Sequence, residues 1–390
     1  MKTVLLFQSS FSQSNRKKFD GVYHYAHSRK WQIQTIQHAH AVSVRRPNAF
    51  VSKPCDLRAL LSFWKPDGCI VEGGERSRIG DPKLFGHTPV VFLDRSQETM
   101  PKSALCVESD PDAITAAAAK ELLSTGYDNF AYVAWWQPLS WSEKRGAAFA
   151  AIIRQNGKPC TLLRLAHHPT DRNHALAKSL ASLPRPCGIL AANDIVAERI
   201  VFECGRLGLA VPDDIAVVGI DNDTEICENA RVSLTSIEQD CFRAGELAAE
   251  MLDQRMSGKK SRERLLKFGV FSIFRRESTR IIKRRDKRVT AAIEFIRRHA
   301  TTGIRIEEIV RASGGSRRQL DHIFVQLVGH TILDEIHCVR LEHAKTLIAS
   351  GRQNMSEIAA ECGYSSLVDF SRVFKRYEGI APVKWKNLPR

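Results

Sequence analysis

One helix pattern occurs twice in the carboxyl-terminal part of this chain, between Ile304 and Trp385. Each copy has an apolar residue, a glycine, and then two apolar residues four positions apart: Ile309, Gly314, Leu320 and Phe324 in the first, and Ile358, Gly363, Phe370 and Phe374 in the second. A glycine permits the positive φ that a tight turn requires, and apolar residues four apart bury one face of a helix. The pattern therefore predicts two helix-turn-helix units.

The opposite face of each second helix carries side chains that could enter the major groove of DNA. They are Arg317, Arg318, Asp321 and His322 in the first copy, and Leu367, Val368, Ser371 and Arg372 in the second. An arginine can donate two hydrogen bonds to guanine, and an aspartate can accept one from cytosine N4. We expect Arg318, Asp321 and His322 to contact bases, with Arg317 nearer the phosphates. Arg372 is the main base-reading candidate of the second copy, and its three neighbours offer apolar contacts or weak hydrogen bonds.

The stretch between the copies, residues 331–349, has apolar residues at helical spacing over roughly 28 Å. A helix of this length can hold two reading helices about one DNA turn apart. Further marks are Gly329, Arg340-Leu341, Ala344, Phe374-Lys375 and Gly379-Ile380-Ala381-Pro382. With these marks, residues 289–386 resemble the AraC family of transcription regulators. The resemblance implies binding to double-stranded operator DNA and activation through contact with RNA polymerase.

Positive charge is concentrated in the later part of the chain, whose formal net charge is +15. Residues 1–254 contain 29 basic and 29 acidic residues, residues 255–288 contain 14 and 3, and residues 289–390 contain 15 and 11. A neutral large part followed by a basic connector and a basic small part is typical of a protein that binds a polyanion at one end. The run 280–288 could alternatively be only a solvated linker.

Several classes of protein are disfavoured. The ten cysteines form no C-x-x-C pair, which indicates reduced thiols and a cytoplasmic protein. Histidines 38, 40, 167 and 168 lack a cysteine or carboxylate at ligand spacing, so we predict no metal and no cofactor. No apolar run is long enough for a membrane span. No phosphate-binding loop or hydrolase motif occurs, and the alternative of a repair methyltransferase with a helix-turn-helix domain lacks its reactive-cysteine motif, so we predict that the chain is not an enzyme.

The first 270 residues alternate short apolar runs with helical patterns. Strands are predicted at 4–7, 32–36, 68–71, 90–93, 130–134, 161–165, 188–192, 215–220 and 265–274, and helices at 112–124, 143–155, 171–183, 194–207 and 241–256. This alternation indicates an α/β fold with doubly wound parallel sheets. One large domain is possible, but the strand at Phe130 begins a second series that can stand alone. We therefore favour two lobes with a ligand cleft between them.

Polar side chains occur at strand ends and on one helix of this region. Pro89 to Asp94, the Arg145-x-x-x-Phe149 pattern, Asn193-Asp194, and Val217 to Asn222 follow in an order and spacing similar to the LacI-type regulator core, which is related to periplasmic sugar-binding proteins. The resemblance implies a two-lobed domain with a sugar in its cleft. Asp94, Arg145, Asn193, Asp194 and Asp221 are the resulting candidate ligand-binding residues.

These residue types suit a sugar, because carboxylates and amides exchange hydrogen bonds with hydroxyls and an arginine fork binds two oxygens. Structural alternatives remain for three of them: Asp194 could cap the next helix, Asp221 could form an Asx-turn, and Arg145 could be an exposed helix residue. Trp136 and Trp141 lie near Arg145 in the sequence and could stack against a sugar ring.

The two resemblances together divide the chain into a periplasmic-binding-protein-like domain at 1–274, a basic linker at 275–288 and an all-α double helix-turn-helix domain at 289–390. This combination resembles regulators of sugar operons. It implies a homodimeric activator that responds to a pentose, in the first place D-xylose, without association with a membrane. The alternative is a DNA-binding regulator whose first domain binds another sugar or serves only for dimerisation.

Overall fold

The computed structural model describes residues 1–9, 12–37, 57–73, 79–164, 169–259, 263–280, 286–350 and 353–386. The chain divides into two compact units, Met1–Arg280 and Ile281–Leu388. The boundary between the units lies within the basic run that the sequence analysis assigned to a linker. Histidines 38, 40, 167 and 168 lie outside the described residues.

The first unit alternates strands and helices along the chain. Its strands are β1 (Thr3–Gln8), β2 (Gln32–Gln37), β3 (Gly68–Glu72), β4 (Val90–Leu93), β5 (Leu105–Ser109), β6 (Asn129–Val133), β7 (Cys160–Leu163), β8 (Cys187–Ala191), β9 (Ile215–Ile220), β10 (Thr235–Gln239), β11 (Leu265–Phe268) and β12 (Val270–Phe274). Its helices are α1 (Gln13–Ser28), α2 (Leu57–Trp64), α3 (Pro111–Leu123), α4 (Ser140–Gln155), α5 (Pro169–Ser182), α6 (Asp194–Arg206), α7 (Thr224–Asn229) and α8 (Cys241–Met256), with short 3-10 helices at Pro82–Phe85, Gln97–Thr99 and Glu277–Thr279.

The strands form two separate six-stranded sheets, which confirms the two-lobed α/β prediction. The sheet of lobe 1 has the order β11-β5-β4-β3-β1-β2, and the sheet of lobe 2 has the order β12-β10-β9-β8-β6-β7. All pairings are parallel except that of β10 with β12. Helices α1 and α8 pack together on lobe 1, and α3 and α4 pack together on lobe 2. Buried strand residues such as Val4, Leu6 and Ile70 form the lobe 1 core with apolar residues of α1 and α8.

The chain passes between the lobes three times, after β5, after β10 and between β11 and β12. Two backbone hydrogen bonds join these crossings: Asp110 N donates to Phe268 O over 2.8 Å, and Asp240 N donates to Gly269 O over 3.0 Å. Three adjacent crossings of this kind form a hinge.

The prediction of one strand at 265–274 is wrong, because the structure contains two strands in different sheets. β11 pairs with β5 in lobe 1, whereas β12 pairs with β10 in lobe 2, and Gly269 separates them. Both halves are apolar and aromatic, so their composition does not reveal that their partners differ. The strands β5 and β10 were not predicted from the sequence, although both belong to the hinge.

The second unit is helical, and it contains the two predicted helix-turn-helix units. Its helices are α9 (Lys287–His299), α10 (Ile306–Ser313), α11 (Arg317–Val328), α12 (Ile332–Ser350), α13 (Met355–Glu361), α14 (Leu367–Glu378) and α15 (Pro382–Lys386), with a 3-10 turn at Ala300–Thr302. The turn glycines have positive φ, +74° at Gly314, +98° at Gly315 and +77° at Gly363. Ser316 and Ser366 cap α11 and α14 by accepting from the backbone amides three residues later.

Helix α12 joins the two helix-turn-helix units. Arg340 Nε donates over 2.8 Å to Ala300 O, in the 3-10 turn that precedes the first helix-turn-helix unit. Its guanidinium lies 5.3 Å from the centre of the Tyr364 ring, in the second helix-turn-helix unit. The turn of the second helix-turn-helix unit also packs directly on the 3-10 turn that precedes the first, because a Cβ added to Gly363 would lie 2.7 Å from Thr301 O. Lys345 is 2% exposed and binds Glu342 and Glu378. These contacts fix the two reading helices relative to one another.

Candidate effector and DNA sites

The cleft between the lobes receives one carboxylate from each lobe. Asp94 follows β4 of lobe 1 and Asp221 follows β9 of lobe 2, both at the carboxyl ends of parallel strands, where α/β proteins bind their ligands. Both residues have positive φ, +60° and +106°. Such a backbone conformation is unfavourable for a residue with a side chain and is often found at binding sites.

Lys18 joins Asp94 from the neighbouring helix α1. Its side chain is 2% exposed and donates to Asp94 Oδ2 and, over 3.0 Å, to Asn15 Oδ1. Burial alone lowers the pKa of Lys18, but the neighbouring acidic groups, Asp94 first among them, together hold the pKa above its ordinary value. Burial likewise opposes ionisation of Asp94, but Lys18, followed by Arg145, keeps its pKa below the ordinary value. Both groups are therefore charged at neutral pH.

Lys18 was not among the predicted site residues, although its position in the sequence carries a signal. Asn15, Lys18, Phe19 and Val22 are all buried on one face of α1. A lysine at a core position of an amphipathic helix almost always has a buried partner, so its position predicts a nearby carboxylate.

Arg145 enters the cleft from α4 of lobe 2. It is 5% exposed, so the alternative of an exposed helix residue is wrong. Its Nη1 donates to Ala192 O over 2.8 Å, and its Nη2 donates to Gln239 Oε1 over 3.2 Å. The guanidinium lies 4.8 Å from the centre of the Trp141 ring, at a distance typical of a cation–π contact.

Gln239 connects Arg145 to Asp221 and was also missed by the sequence analysis. Its Nε2 donates to Asp221 Oδ1 over 2.6 Å, while its Oε1 accepts from Arg145. Burial raises the pKa of Asp221 above its ordinary value, although Arg145 and Lys18 lower it. The cleft thus brings together two cations and two carboxylates that lie close enough to influence one another.

Asn193 and Asp194 have different roles from each other. Asn193 is the cap of α6, because its Oδ1 accepts from Val196 N over 3.1 Å. Asp194 is 1% exposed and accepts from Asp223 N over 2.7 Å and Ser236 Oγ over 2.6 Å. Burial, reinforced by Asp221, raises the pKa of Asp194 to about 8. Asp194 therefore holds the loop after β9 in place, and the capping role considered for it belongs to Asn193.

The aromatic residues near Arg145 divide into two groups. Trp136 stacks on Trp135 with ring centroids 3.3 Å apart. Trp141 instead lines a cavity of the cleft together with Asp94, Ser96, Glu108 and Lys144. Of the two tryptophans considered from the sequence, Trp141 is the one that lies beside the charged cluster.

Several polar contacts join the lobes around this cluster. Lys17 Nζ lies 2.6 Å from Glu238 Oε1, Thr224 N donates to Gln13 Oε1 over 2.9 Å, and Lys144 Nζ donates to Ser96 Oγ over 2.8 Å. Gln13, Lys17 and Ser96 belong to lobe 1, and their partners belong to lobe 2. The lobes are therefore close together in this structure.

The second unit presents the residues predicted to bind DNA on α11 and α14. Arg317, Arg318, His322, Leu367, Val368 and Arg372 are exposed, and Asp321 and Ser371 are half-buried. Arg317 lies 3.0 Å from Glu307 and 3.7 Å from Asp321, and Arg372 lies 2.7 Å from Asp369. Surface ion pairs of this kind contribute little and can exchange for contacts with phosphate or base.

Two absences hold for the part of the chain that the structure describes. Among those residues, no group of three or more histidine, cysteine, aspartate or glutamate side chains is arranged to hold a metal ion. None of the described helices combines the length and hydrophobicity needed to cross a membrane.

Comparison with known proteins relates both units to described families. Residues 119–279 match the periplasmic binding protein-like domain family, and residues 309–387 match the helix-turn-helix domain family. The xylose operon regulatory protein of Escherichia coli (strain K12) is 30% identical over 345 residues, which cover 85% of this chain and 88% of that protein.

Solved structures share the fold. The structure of the xylose-binding transcription activator xylR has a TM-score of 0.61 at 24% identity, and the match covers 99% of this chain and 98% of that one. The lac repressor dimer bound to operator and an anti-inducer has a TM-score of 0.56 at 19% identity, over 71% of this chain and 93% of that one.

An effector cleft in a periplasmic-binding-protein-like domain, followed by a double helix-turn-helix domain, defines the class of sugar-sensing, DNA-binding transcription regulators. Within that class, the chain belongs to the family of xylose operon regulatory proteins.

Proposed function

We propose that this protein binds a pentose, D-xylose in the first place, in the cleft of its first unit and thereby controls how its second unit binds operator DNA. The observation that carries the proposal is the cluster of Lys18, Asp94, Arg145, Asp221 and Gln239 between the lobes. The names of the relatives, xylose operon regulatory protein and xylose-binding transcription activator, support the choice of sugar.

The charge balance of the cluster favours a neutral ligand. Lys18 is paired with Asp94, and Arg145 is linked to Asp221 through Gln239. A charged ligand would leave one member of these pairs uncompensated, which is costly in a desolvated cleft. Sugar hydroxyls can both donate to carboxylates and accept from cations, so they bind without changing the balance.

Each candidate residue has a definite role in the proposed complex. Asp94 and Asp221 accept hydrogen bonds from hydroxyls that approach from opposite lobes, and Arg145 donates to a ring or hydroxyl oxygen. Trp141 packs against an apolar face of the sugar. The partly exposed amide of Asn193 supplies a further polar contact from lobe 2, whereas Asp194 acts by holding the loop that carries Asp221.

Sugar binding regulates DNA binding through the relative position of the lobes. A ligand with groups on both lobes favours the closed arrangement, and the effect on DNA is limited by the difference in sugar affinity between closed and open forms, about 1–3 kcal/mol. In the second unit, Arg318, Asp321, His322 and Arg372 contact bases. The functional form is a homodimer, and the regulator activates transcription through contact with RNA polymerase.

Operator binding measured by fluorescence anisotropy at fixed salt tests the proposal. The DNA is the region upstream of the chain's own gene cluster, and the sugars are D-xylose, D-ribose, L-arabinose and D-glucose. We expect D-xylose to change the affinity by about 5–150-fold, the range of typical allosteric coupling, and glucose to have no effect. The variant Asp221→Asn should lose the response and keep sugar-free DNA binding.

Two other results would favour the alternatives. If another sugar of the panel changes the operator affinity and D-xylose does not, that sugar is the effector. Equal DNA binding with every sugar, together with no thermal stabilisation by any of them, would indicate a first unit that serves only for dimerisation.

A further inference from the structure

We propose that four residues, Lys17, Glu238, Asn222 and Arg276, form a chain of hydrogen bonds that transmits the state of the cleft to the segment leading to the second unit. This Lys17–Arg276 chain assigns Asn222 and Arg276 as positioning residues for regulation. The inference rests on the proposed function, because it requires that a sugar closes the cleft.

The chain begins at a contact between the lobes. Lys17 belongs to α1 of lobe 1, and Glu238 belongs to β10 of lobe 2, where its residue is 3% exposed. Their side chains are 2.6 Å apart. A hydrogen bond of this length is lost when its partners separate beyond about 3.5 Å, so a small opening of the lobes breaks the contact.

The second oxygen of Glu238 carries the chain to Asn222. Asn222 Nδ2 donates to Glu238 Oε2 over 2.9 Å, and Asn222 is 3% exposed. Asn222 directly follows Asp221, the cleft carboxylate, and both have positive φ. Its backbone N–H donates to Ser236 Oγ over 3.0 Å. Asn222 therefore contacts the lobe–lobe ion pair and is covalently joined to the ligand site.

Arg276 receives the other end of the Asn222 amide. Its Nη2 donates to Asn222 Oδ1 over 2.9 Å, and its Nη1 donates to Leu234 O over 2.8 Å. The Arg276 side chain is only 11% exposed. Both polar atoms of the Asn222 side chain are thus engaged, one towards the cleft and one towards Arg276.

Arg276 lies near the end of the first unit, which extends to Arg280. Ser278 Oγ donates to Val217 O over 2.5 Å and accepts from Thr235 N over 2.8 Å, and Thr279 Oγ1 donates to Glu121 Oε1 over 3.1 Å. The chain continues from here into the second unit. Arg276 is therefore part of the anchored segment from which the connection to the DNA-binding unit starts.

Opening of the cleft changes the electrostatics of this chain. When the lobes separate, Lys17 moves away from Glu238. The buried charge of Glu238 then lacks its cation, and an unpaired buried charge is unfavourable. The Asn222 loop and Arg276 then rearrange towards Glu238, and the hydrogen bonds that anchor residues 276–279 weaken. Sugar binding restores the contact between Lys17 and Glu238 and strengthens the hydrogen bonds that anchor residues 276–279.

Two variants of the full-length protein test the inference. Arg276→Ala removes the last link, and Asn222→Gly removes the amide while tolerating the positive φ. Arg264→Ala is the matched control, since it removes the same charge at an exposed position away from residues 276–279, where Arg264 Nη1 donates to Lys102 O over 3.2 Å. D-xylose affinity is measured by calorimetry, and operator affinity is measured with and without D-xylose. Hydrogen exchange of amides 277–280 is followed in both states.

We expect both variants still to bind sugar, because neither Asn222 nor Arg276 is among the residues proposed to contact it. The sugar-induced change in operator affinity should disappear in both and persist in Arg264→Ala. Sugar should slow exchange at 277–280 in the wild type and not in Asn222→Gly. If Arg276→Ala does not fold, Asn222→Gly alone decides. A variant that responds to sugar like the wild type overturns the inference alone, whereas a wild type that responds to no sugar overturns both it and the proposed function.

Discussion

Single residues show which parts of the ligand site can be predicted from sequence. Asp94, Arg145 and Asp221 follow recognisable strand and helix patterns, and the structure brings them together in one cleft. Lys18 carries only the signal of its buried position on α1, and Gln239 carries none, because β10 (TSIEQ) contains a single apolar residue. Their roles depend on partners 76 and 18 positions away in the sequence, and such pairings arise only from the three-dimensional arrangement of the lobes.

Replacement of Lys18 by methionine tests the buried ion pair. Lys18→Met leaves Asp94 without its cation, and because the Asp94 side chain is 37% exposed it can be partly rehydrated. We expect the free energy of unfolding to fall by about 1.5–3 kcal/mol, the range for a hydrogen bond to a charged group. Lys120→Met, on an exposed position of α3, should change it by less than about 0.5 kcal/mol. Equal urea midpoints for the two variants would contradict the role of Lys18.

The buried carboxyl of Asp194 predicts a pH dependence of stability. Its pKa is about 8 in the folded protein and near 3.8 when unfolded, so between these values the folded state binds a proton that the unfolded state releases. The stabilisation that this bound proton gives is fully present below the pKa of the unfolded chain. It is lost as the pH rises towards the pKa of the folded protein, by up to about 1.4 kcal/mol per pH unit. In urea titrations, wild type should lose stability with rising pH faster than Asp194→Asn. Parallel profiles would exclude this assignment.

At the scale of elements, the helix-turn-helix units were predictable because each is local: a helix, a glycine turn and a second helix within about twenty residues. The sheets were only partly predictable. Strands buried on both faces read as apolar runs, but the partner of each run is not encoded in the run itself. For this reason β11 and β12 were predicted as one strand across Gly269. β5 and β10 were not predicted because their sequences, LCVES and TSIEQ, are short and contain polar residues.

Two glycines in the second unit allow a matched comparison. Gly363 and Gly379 both end a helix with φ close to +77°, so alanine costs about 1–2 kcal/mol of backbone strain at either position. Only at Gly363 would the new Cβ also collide with another element, at Thr301 O, whereas nothing lies within 4 Å at Gly379. Gly363→Ala should therefore lower the free energy of unfolding by about 1–3 kcal/mol more than Gly379→Ala does. The measurement is the denaturation transition of the second unit. Similar losses for both variants would mean that the packing between the turns is not tight.

At the scale of the whole molecule, the division into two units predicts how ligands affect stability. A ligand that binds only the folded form stabilises the unit that holds it. We expect calorimetry to resolve two unfolding transitions, and D-xylose at 100 times its dissociation constant to raise the stability of one of them by about 2.7 kcal/mol. Operator DNA should raise the stability of the other unit. If the sugar shifts both transitions equally, the units unfold as one and this expectation fails.

The triple crossing of the hinge has a consequence for synthesis of the chain. Lobe 1 begins with β1 but receives its final edge strand from β11, and lobe 2 receives its final edge strand from β12 only two residues later. A nascent chain that has emerged as far as residue 264 therefore has neither sheet complete, and both close within the next ten residues. We therefore expect the effector domain to complete both of its sheets in one late step, before the DNA-binding helices leave the ribosome.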